Sequence, residues 1–124
     1  MSFKEVPIDP AGGQITLNIS IESNCYVKYL IELRPDETNG EVLKSWRGHN
    51  KDETSFSYQV NRSARDLKYD FLNWEFTIFP FPGKDDSYYE IKFQIQQGQK
   101  ELFSASYSGE PAMPVIESGE ILFV

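Results

Sequence analysis

The sequence is short of the residues from which most covalent and transition-metal chemistry is built. In 124 residues it has one cysteine, Cys25, and one histidine, His49. A single cysteine excludes an intramolecular disulfide framework, a CxxC redox pair and a Cys-rich zinc site. A single histidine excludes a His-cluster metal site, and no Gly-x-Ser-x-Gly elbow is present for it to serve in a hydrolase triad. Positive charge is scarce too. Twelve Lys+Arg against 19 Asp+Glu leave a net charge of −7, which argues against a groove for nucleic-acid phosphates. No apolar run approaches the ~18 residues that span a bilayer. The first residues, interrupted by Pro7 and Pro10, hold no apolar leader. The expectation is a cytoplasmic chain with no catalytic residues, cofactor or metal, and with neither nucleic acid nor membrane as partner.

What is present is alternation. With 40% apolar and 15% aromatic residues the chain is too rich in core-forming side chains to be disordered, and its length fits one domain over 1–124. In 14–22, Ile15, Leu17, Ile19 and Ile21 alternate with Thr16, Asn18, Ser20 and Glu22. That period of two marks a strand with one buried and one wetted face. The same pattern predicts strands over 26–34, 41–47, 54–60, 70–79, 88–96, 100–107 and 116–124, the last broken at Gly119. Asn39-Gly40 and Gly98 mark turns, and Pro80-Phe81-Pro82-Gly83 ends the most aromatic strand. Ser63 and Asp66, three residues apart, suggest one short helical turn near 62–68. Residues 1–12 read as an extended or flexible segment. About eight strands joined by turns predict an all-β, antiparallel two-sheet β-sandwich, jelly-roll or immunoglobulin-like. The connections at 61–69 and 108–114 are where strands would change sheets, and Cys25 is expected to be a buried, inert thiol.

The pattern of strands and turns is shared by immunoglobulin-like, C2-like and carbohydrate-binding sandwiches. The Cys…Trp…Cys hallmark of true immunoglobulin domains is absent. Function must therefore be read from side chains that the alternation does not place in a core. Phe79 and Phe81, in Phe-Pro-Phe-Pro, and Trp46 are the leading binding candidates, because aromatic side chains anchor protein interfaces and stack on sugars. Charge adds a second cue. No Lys or Arg follows Lys100, whereas Glu101, Glu110, Glu117 and Glu120 do, so Glu117 and Glu120 would face a basic partner.

The leading expectation is a non-catalytic protein-interaction module, a subunit or inhibitor of a more basic protein. The alternative is a carbohydrate-binding module that uses the same aromatics, with Asp85 and Asp86 accepting from hydroxyls. Third is a calcium-dependent C2-like domain, if the loops carrying Asp52-Glu53 and Asp85-Asp86 meet at one end. Finally, Ile121-Leu122-Phe123-Val124 is apolar on both phases. This marks 116–124 as a strand covered on both faces or paired with another copy in a homo-oligomer.

Overall fold

A computed structural model describes residues 3–35, 41–83 and 85–124; the predicted Asn39-Gly40 turn lies outside them. The fold is nearly all β, with 59% strand and 3% helix. In chain order the elements are β1 (Lys4–Val6), β2 (Ile15–Ser23), β3 (Tyr26–Arg34), β4 (Lys44–His49) and β5 (Ser55–Gln59). They continue with α1 (Ala64–Leu67), β6 (Phe71–Phe79), β7 (Tyr89–Gln97), β8 (Lys100–Gly109) and β9 (Val115–Phe123). One sheet has the order β1-β9-β6-β3-β4, the other β5-β2-β7-β8. All pairings are antiparallel except β1 with β9. The two connections read as sheet changes are such changes: α1 lies between β5 and β6, and 110–114 lies between β8 and β9.

The alternating isoleucines and leucines do what their period requires. Ile15, Leu17, Val27, Ile31, Leu33, Leu72, Phe76, Ile78, Ile91, Phe93 and Ile95 all have 0% exposure, and they fill the layer between the sheets. The sides of the sandwich are closed by aromatic rings with hydrogen-bonded polar tips. On the β4–β5 side the Tyr29 and Tyr58 hydroxyls bond to each other, and Trp46 packs 6.5 Å from Tyr58. Burial, then the Tyr58 hydroxyl, pushes the Tyr29 phenol well above its ordinary range. On the opposite side Trp74 Nε1 donates to the Tyr107 hydroxyl at 2.9 Å. There too the Tyr89 hydroxyl donates to Glu117 Oε2 at 2.7 Å. Burial and then the Glu117 carboxylate push the Tyr89 phenol up to about 12.

Four details differ from the reading of the sequence. The N-terminal segment contributes a ninth strand, β1, and Gln97 anchors the chain just beyond that strand: Asp9 N donates to Gln97 Oε1, and Gln97 Nε2 donates to Asp9 O. The fourth strand runs Lys44–His49 rather than 41–47, which puts His49 at a strand end; Trp46 takes the inward phase because its register places it opposite buried Ile31. Phe103 and Tyr107 also point inward, because the β7–β8 register shifts between Ile95 and Gln96. Gly119 does not interrupt β9; it lies opposite Trp74, whose indole covers the place of a side chain.

The sheet change at 61–70 is fastened by Ser63, whose Oγ caps α1 by accepting from Asp66 N. It is fastened also by Asp70, 5% exposed, which accepts from Arg62 Nε at 2.9 Å. Burial raises the Asp70 carboxyl above its ordinary 3.8, and Arg62 only partly offsets this. The stability gained from protonating Asp70 is therefore present below pH 3.8 and lost as pH rises through the raised folded value. Arg62→Ala raises that value further. Urea denaturation should show a loss of about 2 kcal/mol at neutral pH and a smaller loss below pH 3.8, where the raised carboxyl is mostly protonated. An equal loss at both would show that the ion pair is not what Arg62 contributes.

Candidate functional site

The two outer faces of the sandwich differ. On the β5-β2-β7-β8 sheet, every outward position of β2, β5 and β7, and of β8 from Ser104 to Ser108, is Ser, Thr, Asn, Gln, Glu or Lys. Those side chains are largely engaged with each other. Ser57 Oγ donates to Asn18 Oδ1, Asn18 Nδ2 donates to Gln94 Oε1, and Gln94 Nε2 donates to Glu101 Oε1. This chain crosses all four strands and floors a groove of about 580 Å³. Phe56 and Phe93 contribute to the groove's lining, but their rings pack toward the core, so its outward side chains are hydroxyls, amides and the charged Lys92 and Glu101 rather than a ring to stack on.

The outer face of the other sheet is partly apolar. Tyr26 and Leu30 on β3, Phe71 and Phe79 on β6, and Ile116 and Leu122 on β9 all occupy outward phases. The registers join them into two groups. At the end where β3 starts, Tyr26 is opposite Phe79, their rings 6.1 Å apart. His49 lies 5.9 Å from Tyr26, and Lys28 Nζ sits 5.6 Å over the Phe79 ring. Ile116, 60% exposed, faces Thr77 one row along. At the other end Leu122 is opposite Phe71, against which Phe3 stands edge-on at 5.2 Å. Between the groups is a depression of about 460 Å³, lined by Leu30, Asn73 and Ser118 with Glu32, Glu75 and Glu120 at its rim. Glu32 is paired with Arg34 at 2.9 Å.

The residues singled out from the sequence do not gather in one place. Phe79 and Glu120 lie on this partly apolar face. Phe81, 49% exposed, is in the loop beyond its β6 end, with exposed Asp85 and Asp86 further along. Trp46 packs on Tyr58 at the side of the sandwich, and Glu117 points inward to Tyr89. The loops at 50–54 and 80–88 do share an end, and asparagines latch them. Asn24 Nδ2 donates to Asp86 O and Asn24 Oδ1 accepts from Tyr88 N; Asn50 Nδ2 donates to Cys25 O. Cys25 is buried there. Among the described residues no three His, Cys, Asp or Glu side chains converge to hold a metal.

Leu30, Phe71, Ile116 and Leu122 are not singled out by the sequence reading, and Tyr26 is read only as an aromatic off the cleanest alternation, yet the sequence carries a signal for them. In 26–34 and 70–79 apolar residues occur on both phases, whereas 14–22 and 89–96 alternate cleanly. No family profile matches this sequence, and comparison with curated proteins and with solved structures finds no significant match.

Proposed function

We propose that the chain is a non-catalytic protein-interaction module whose binding face is the outer face of the β1-β9-β6-β3-β4 sheet. One observation carries the reading: of two outward sheet faces in the same small sandwich, one is wholly polar and the other carries six large apolar or aromatic side chains. Isolated apolar residues at a surface are ordinary, but six of them gathered in two groups on one face, about a polar depression, have the composition of an interface. The glutamates at the rim of the central depression, with the net charge of −7, favour a partner that presents apolar side chains framed by basic ones. The polar groove of the opposite sheet supports carbohydrate binding less well, because it lacks a stacking ring.

A photo-reactive residue in place of Ile116 should cross-link one defined protein, identifiable by mass spectrometry. The same residue in place of Ser57, on the opposite face, should not. Ile116→Lys should weaken binding of that purified protein about tenfold or more, ~1.4 kcal/mol, with thermal stability unchanged. Equal labelling from both positions, or none from either, would overturn the reading.

A further inference from the structure

β8 (Lys100–Gly109) is the last strand of its sheet, with β7 as its one hydrogen-bonded neighbour among the described residues. It is also the longest strand in the fold, at 10 residues. Natural edge strands are guarded by charge, proline, brevity or a bulge. β9, whose apolar end suggested pairing between copies, is guarded in part: β1 occupies the flank of Ile121–Phe123. β8 carries a bulge at Leu102, but past it, over Phe103–Ser108, which reads Phe-Ser-Ala-Ser-Tyr-Ser, it has no guard. Those six residues contain no charge, no proline and no glycine, the composition of a segment that pairs with another strand.

The sequence of this edge is complementary to itself. Placing a two-fold axis at Ala105 puts residue i opposite residue 210 − i of a second copy. Phe103 then faces Tyr107, an aromatic cross-strand pair of the kind that stabilises antiparallel ladders. Ser104 faces Ser106; the ladder ends at the bulge beside Leu102, beyond which Lys100 lies near the second copy's Glu110 at each end. Within the ladder side chains of like exposure meet: Phe103 and Tyr107 are both half-buried, while Ser104 and Ser106 are exposed. No like charges are opposed. Shifting the axis by one residue either way, to Ser104 or Ser106, loses the Phe103–Tyr107 pairing.

We infer that the chain forms a two-fold homodimer by antiparallel pairing of β8 with β8 of a second copy, centred on Ala105. The pairing turns two four-stranded sheets into one of eight strands and removes the unguarded edge. It leaves the partly apolar face of each copy outward, so the dimer is a bivalent form of the module.

Light scattering on the purified chain should give twice 14.3 kDa. Lys100→Glu, which brings two carboxylates near each other at each end, should shift the dimerisation constant about tenfold or more toward monomer, and Lys100→Glu with Glu110→Lys should restore it. The register is read separately. Under oxidation, a mixture of Ser104→Cys and Ser106→Cys chains should give the mixed covalent dimer in preference to either self-pair, because those positions face each other. A 14.3 kDa species at the highest attainable concentration, or a dimer indifferent to both charge reversals, would overturn the inference. Neither result bears on the opposite sheet, whose test is the cross-linking from Ile116.

Discussion

Phe76→Ala should lower stability by about 4 kcal/mol and the midpoint of thermal unfolding by roughly 15 °C, measured by urea denaturation and calorimetry. Phe76 has 0% exposure at the centre of β6, the middle strand of its sheet. Its ring lies 5.9 Å from Tyr29, 6.3 Å from Phe93 and 6.2 Å from Tyr107. It thus touches both sheets and links the aromatic groups that close the two sides. Removing it loses the transfer energy of the ring and leaves a cavity that its neighbours cannot fill, because their polar tips are committed. Tyr29 is held by Tyr58, and Tyr107 by Trp74. A loss below about 1 kcal/mol would mean that the sheets close over the gap and that this layer is not close-packed.

Gly119→Ala is the second large effect, expected at about 3 kcal/mol although it adds one methyl group. A Cβ at this position would fall 2.6 Å from Trp74 Cε2 and 2.9 Å from Nε1, too close for either side to accept. The indole has nowhere to go. It stacks 4.7 Å from Phe93 and 5.5 Å from Phe103, and its Nε1 is fixed by the Tyr107 hydroxyl. The backbone must move instead, and β9 is held on one side by β6 along most of its length and on the other by β1 at its end. Combining Gly119→Ala with Trp74→Phe separates this cause from others. The smaller ring should recover more than about 1 kcal/mol of the Gly119→Ala loss in a double-mutant cycle. Additive losses would show that Trp74 is not the obstacle.

These two positions also show how far the sequence is legible. Phe76 reads as core, because Trp74, Phe76 and Ile78 alternate with polar neighbours and period two leaves them one face. Gly119 is misread as an interruption, because a glycine in a strand looks the same whether it breaks the strand or receives a ring from across the sheet. Trp46 is misplaced for a related reason: its inward facing is set by its register opposite Ile31, just as the inward facing of Phe103 and Tyr107 is set by the bulge between Ile95 and Gln96, and neither leaves a mark in composition.

The candidate face stands between these cases. Double-phase apolar character in 26–34 and 70–79 is visible in the sequence, but a strand covered on both sides and a strand exposed on one sticky side share that pattern. Only the order of strands shows that, among the described residues, no further layer lies over Tyr26, Leu30, Phe79 and Ile116.

Local sequence suffices for the all-β class, two of the six sheet changes, the buried thiol, the capped turn at Ser63 and most of the isoleucine–leucine core. Each arises from local chemistry or from a period of two, which neighbouring residues are enough to specify. The assembled sheets alone establish which sheet each strand joins, which outer face is apolar, that β1 covers the end of β9, and that β8 is left as an edge. Those depend on pairings between residues up to 117 positions apart, such as Lys4 with Ile121. No local pattern encodes them, because the free energy of a pairing is settled only when the competing strands are present together.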